Sequence, residues 1–134
     1  MRDIKINPLD FENDVAIGLN IPMNNSTGGF KQNYLTKDQI HANFKNLILT
    51  NKGERIMHPT FGSTIYELLF EPSVDGDVSS AALSSIRDAA KEWMPFITVQ
   101  DTFVTFNEST ANIKVSYSIK ELDIIEILEM NIRI

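Results

Sequence analysis

Three carboxylates, two histidines and one arginine set the range of chemistry open to this chain. Glu54, Glu67 and Glu71 cluster within residues 47–72, LILTNKGERIMHPTFGSTIYELLFEP. A glycosidase needs two facing carboxyl groups about 5–9 Å apart, one kept protonated by burial. Spacing in sequence does not set that separation, and with 18 acidic residues some pair always falls close in the fold. The competing reading is structural. In it Glu54 pairs with Arg55 or Lys52, Glu67 caps a helix, and Glu71 is solvated. His41 and His58 are the only histidines, and they lack the i, i+3 or i, i+4 spacing of a multi-histidine metal site. No phosphate-binding loop, GxSxG or dinucleotide fingerprint is present. We therefore expect no catalytic residue, no metal ligand and no cofactor. Arg55 stands out, because a guanidinium in a loop just past a helix end suits carboxylates or backbone carbonyls. Its plainer role is to staple the loop to a carbonyl or to Glu54.

The elements that must position these residues follow from hydrophobic periodicity. Residues 36–50 form a helix, with Ile40, Phe44, Leu47 and Ile48 on one buried stripe. Thr36 with Gln39 has the form of a capping box, and Thr64 with Glu67 repeats it for a short helix over 64–70. Gly53 is placed to end the first helix in a left-handed conformation. Residues 77–93 form a third helix, capped by Asp77, with Asp75 near the positive end of its dipole. Its apolar face is Ala82, Ile86, Ala89, Ala90 and Trp93. Pro95 stops it and pushes Met94 out of the helical region. The rest reads as strands over 97–106, 113–119 and 128–134, with a turn at 107–112 and a break at 121–123. Ile113, Val115, Tyr117 and Ile119 alternate with polar residues, so that strand has one wet face. The expected fold is α+β: three helices packed on a C-terminal antiparallel sheet of about three strands, with an N-terminal arm. The arm covers 1–35, with a short strand in 14–23 and a turn at 24–29; a single domain covers 36–134. The last strand is expected at a sheet edge, either blunted by Glu129 and Arg133 or offered as a template for another chain.

Composition narrows the partners. The chain is 43% hydrophobic and 22% charged, which suits a soluble globular protein. A net charge of −6 without basic runs argues against nucleic acid. There are no cysteines, which excludes disulfides and cysteine-based zinc sites. No run of 18 apolar residues is present, and the opening segment lacks a signal-peptide core, so neither membrane nor export is expected.

Residues 47–72 resemble the signature of the contractile-tail phage baseplate wedge and sheath-initiator family. That family has a counterpart in type VI secretion baseplates and carries an old lysozyme-like name. The matching positions are Leu47, Leu49, Thr50, Asn51, Gly53, Glu54, Arg55, Pro59, Phe61, Gly62, Leu69, Phe70 and Glu71. VAIGLNIP at 15–22, with Gly29 and Phe30, resembles the family's N-terminal stretch. The resemblance implies a structural baseplate wedge protein of a virion tail, assembled in the host cytoplasm. It also implies other wedge proteins and tail sheath subunits as partners, with tail tube or hub proteins as further candidates. The sheath strand is implied to add at Leu128, Met130, Ile132 and Ile134. Docking to the wedge core is implied at Trp93, Met94, Pro95 and Phe96. There the family's Glu-Pro-Arg is replaced by Met94-Pro95-Phe96, which either shifts docking from ion pairing to apolar burial or makes Met94 and Phe96 core residues with docking elsewhere. A small muralytic hydrolase and a component of a phage-derived injection machine are the alternatives.

Overall fold

Residue types at helix ends decide where the first helix begins and how it is held. The computed structural model describes residues 8–12, 14–19, 32–70, 77–120 and 124–133. The chain divides into two units, Met1–Asn46 and Leu47–Ile134. Helix α1 (Thr36–Leu49) buries Ile40, Phe44, Leu47 and Ile48 as its periodicity predicts, and Ala42 with them. Its start departs from expectation, because Thr36 and Gln39 form no capping box. Thr36 instead donates from its backbone N–H and its Oγ to the Asp10 carboxylate, at 2.9 and 2.7 Å. Asp10 lies on a 3-10 turn (Pro8–Phe11) and is buried. A carboxylate distant in sequence thus satisfies a donor that the first turn leaves open. Gln39 is engaged elsewhere: its Oε1 accepts from Asn33 and its Nε2 donates to Asn43.

The strand expected within 14–23 is shorter among the described residues. Strand β1 (Gly18–Leu19) pairs antiparallel with β2 (Gln32–Asn33). The turn expected at 24–29 lies outside the described residues, as do Gly29 and Phe30.

The second unit carries α2 (Ile65–Phe70), α3 (Val78–Trp93) and a sheet of β3 (Ile97–Asn107), β4 (Thr110–Ile119) and β5 (Ile125–Arg133). The sheet is antiparallel in the order β3-β4-β5, so the fold is α+β as expected. Asp77 caps α3 by accepting from the Ser79 N–H at 3.1 Å; Asp75 lies outside the described residues. Ala82, Ile86, Ala89 and Ala90 are buried, and α3 lies against β3. Met94 closes the helix with φ −136° and ψ 65°, outside the helical region that the following proline disfavours. The second expected capping box is also absent. Helix α2 begins after Thr64, whose hydroxyl shares a hydrogen bond with Ser85 of α3 at 2.8 Å. Glu67 is exposed.

Two sheet boundaries differ from the sequence reading. The turn at 107–112 contracts to Glu108 and Ser109, because Asn107 pairs with Thr110. Glu108 takes a positive φ of 33°, in keeping with the twist that two-residue hairpins require. Strand β5 starts at Ile125 rather than 128. Ile125 and Ile127 pair with Ser118 and Ser116, and both point to solvent. An outward isoleucine disguises the alternation that marks a half-buried strand. A register shift between Val99 and Asp101 makes a bulge, so Ile97, Val99 and Thr102 are buried while Phe103 is exposed. The core face of the sheet is Ile113, Val115, Tyr117 and Ile119 of β4 with Leu128, Met130 and Ile132 of β5.

Candidate functional site

The loop that joins α1 to α2 is held at several points. Ser63 donates from its N–H to the Thr50 carbonyl at 2.8 Å and from its Oγ to Ile48 at 2.6 Å. Gly53 donates to the Pro59 carbonyl at 2.7 Å, and Phe61 to His58 at 3.0 Å. Gly53 does not end α1, which stops at Leu49; it turns the loop itself, at φ +91°. Gly62 sits at φ +125°, where a Cβ would collide with the Thr50 carbonyl oxygen. Asn51 forms a parallel bridge with Ser63, and its backbone N–H donates to the Glu54 carboxylate at 3.1 Å. Glu54 therefore ties the loop to itself rather than pairing with Arg55 or Lys52. Arg55 is likewise no carbonyl staple, for its guanidinium lies 4.0 Å from the centre of the Phe61 ring. Such a contact at an exposed site contributes about 0.5–1 kcal/mol. Glu54 and Glu67 are both exposed, so neither has the desolvation that keeps a catalytic acid protonated. Glu71 lies outside the described residues; Phe70 is exposed and stacks on Tyr66.

Trp93 joins this loop to the end of α3. Its Nε1 donates to the Thr60 carbonyl at 3.3 Å. Its ring meets Phe61 at 5.1 Å and His58 at 5.7 Å, both edge-to-face. The four residues expected to dock are thus unlike one another. Trp93 is partly buried against the loop, Met94 belongs to the core, and Pro95 and Phe96 are exposed.

The two edges of the sheet differ in what lies beside them. On β3 the Val104 N–H donates to Ser79 Oγ at 3.1 Å. Arg87 donates to the carbonyls of Val99 and Gln100, at 3.4 and 3.1 Å. Side chains of α3 thus take three backbone groups along that edge, at Val99, Gln100 and Val104. Sequence reading missed both residues; the signal was two polar side chains, Ser79 and Arg87, beside the apolar stripe of α3. Strand β5 has β4 on one side and, among the described residues, no strand on the other. The direction of its backbone groups follows from alternation. Val104 points away from β4, so its partner Ile113 points toward β5, and Met130 opposite Ile113 points back. Ile125, Ile127, Glu129, Asn131 and Arg133 then carry the outward N–H and C=O groups. Leu128, Met130 and Ile132, the residues expected to take a sheath strand, have buried side chains and face β4. Ile134 lies outside the described residues.

The fold is shared with baseplate and tail proteins. A Geobacter sulfurreducens protein assigned as a tail lysozyme superposes with a TM-score of 0.63 at 18% identity, covering 73% of this chain and 90% of its own. A chain of the anti-feeding prophage baseplate superposes with a TM-score of 0.59 at 16% identity, covering 78% of this chain and 86% of its own. No curated protein sequence matches the chain. The family model of baseplate wedge protein gp25 matches residues 36–122, and the chain belongs to that family of baseplate components.

Proposed function

We propose that this chain is a structural baseplate component that docks to neighbouring wedge proteins and offers β5 as the template for sheath strands. Family membership supports the baseplate part. One observation carries the template part: α3 side chains bond the backbone of β3 at Val99, Gln100 and Val104, while the outward groups of β5 have no strand beside them among the described residues. An added strand would take main-chain hydrogen bonds from Ile125, Ile127, Glu129, Asn131 and Arg133. The partners in this reading are other wedge proteins and sheath subunits, with tube or hub proteins nearby. Assembly takes place in the host cytoplasm before the particle is complete. The same contacts would serve a virion tail or a phage-derived injection machine. Docking would use Pro95 and Phe96, since Met94 is already in the core.

The test is Ile127→Pro. Proline there removes an outward donor and no bond to β4, a position that edge strands tolerate. The variant should fold and enter baseplates yet fail to start sheaths, whereas Ile127→Thr should start them. Normal sheaths on the proline variant would sink the template reading. In the hydrolase reading, lysis of purified peptidoglycan would be lost in Glu54→Gln. The exposure of Glu54 argues for no such lysis in either form.

A further inference from the structure

The face of the sheet turned away from its core has a recess of its own. Asn112 and Lys114 alternate along β4 with the buried Ala111, Ile113 and Val115, so they lie on the opposite face. Their partners on β3 are Thr105 and Phe103. With Asn107 these residues line an open recess of about 230 Å³. The Phe103 ring is 57% exposed there. The Asn112 amide is held from the other side, for its Nδ2 donates to Glu129 and Asn131 of β5 at 2.9 and 2.7 Å. Its Oδ1 is buried and accepts no hydrogen bond, an acceptor left unmet in the wall of the recess.

This surface limits the class of ligand. Lys114 and Glu129 stand opposite one another, so the charge beside the recess balances, and the net charge of −6 opposes a polyanion. β4 is the central strand with its backbone paired on both sides, so a guest strand finds no free main-chain groups on it. An aromatic face ringed by donors and acceptors suits a neutral saccharide. The sugar ring has a C–H face for the aromatic ring and a rim of hydroxyls that both donate and accept. We propose that this recess binds one sugar unit of a neutral saccharide. The sugar would stack on Phe103, and its hydroxyls would bond Thr105, Asn107 and Lys114. A turn of the exposed Thr105 side chain would let one hydroxyl supply the donor that Asn112 Oδ1 lacks. Among the described residues no carboxylate lines the recess, so the site binds without cleaving. It is separate from the outward groups of β5 and from Trp93–Phe96.

Titration of the isotope-labelled full chain with the trisaccharide of N-acetylglucosamine, followed by nuclear magnetic resonance, tests it. Amide signals of residues 103–107 and 112–114 should shift. Phe103→Leu keeps an apolar side chain but removes the flat ring, and it should weaken binding at least about tenfold. Phe103→Tyr keeps the ring and should bind as the parent chain does. Neither change should alter the melting temperature, because Phe103 is exposed. No shift with sugar at about 10 mM, undiminished binding to Phe103→Leu, or equal loss in Phe103→Tyr would overturn the proposal. The same shifts with inorganic phosphate would do so too, since they would mark a simple anion site at Lys114. Ile127→Pro should bind the sugar as the parent chain does, so this proposal and the template reading fail separately.

Discussion

Gly53 and Gly62 show how single residues shape the loop, and they do so for different reasons. Gly53 has a positive φ with open space around it, whereas Gly62 combines a positive φ with a carbonyl where a side chain would sit. Gly53→Ala should therefore lower stability by about 1 kcal/mol, from backbone conformation alone. Gly62→Ala should lower it by more than about 2 kcal/mol, because the chain from Thr50 must also shift. Urea midpoints of the two variants check this order. Asp10 acts at the same scale. Asp10→Ala removes the acceptor for two Thr36 donors and should cost about 0.5–2 kcal/mol, read as faster amide exchange at the start of α1. Both capping boxes were legible as patterns, yet neither formed. Thr36 found Asp10 and Thr64 found Ser85, and a one-dimensional motif does not contain those competitors.

At the scale of elements, α3 has two tasks, to cover the core and to close an edge. Ile86 is fully buried in the first task, so Ile86→Ala should cost about 2–5 kcal/mol. Ile127→Ala, at an exposed position, should stay within about 0.5 kcal/mol in the same denaturation series. Ser79 and Arg87 perform the second task. Ser79→Ala/Arg87→Ala frees the outward groups of Val99, Gln100 and Val104 and should promote edge-to-edge pairing. Light scattering should then rise with protein concentration in the variant and not in the parent chain. The helices and strands themselves were largely legible, since Ile40, Phe44, Leu47 and Ile48, and then Ile113 through Ile119, keep a steady period. The start of β5 was not, because Ile125 and Ile127 break the alternation by facing water.

For the whole molecule, the two edges of the sheet differ in what lies beside them. If strands add at β5 as proposed, α3 limits addition to that side through its bonds to Val99, Gln100 and Val104. The Ile127→Pro variant tests the proposed attachment through the main chain of β5. Truncation of the last strand is a poorer test. Leu128, Met130 and Ile132 are core residues, so removal of residues 125–134 should unfold the second unit, seen as loss of near-ultraviolet dichroism.

The sequence alone determined the α+β class, the buried stripe of α1, the capped third helix with its proline stop, and the family, carried by the loop at 47–72. These are local patterns or specific residue types, and they survive in one dimension. The tertiary structure decided the geometry of the loop and of the sheet edges. It showed how Glu54 and Arg55 fasten the loop, through the Asn51 N–H and the Phe61 ring, and it split Met94 from Phe96. It also set which residues of β5 carry outward backbone groups, namely Ile125, Ile127, Glu129, Asn131 and Arg133. The reason is that an edge or a groove is defined by what lies beside it. That depends on which residues distant in sequence, such as Ser79 and Arg87, arrive there in the fold.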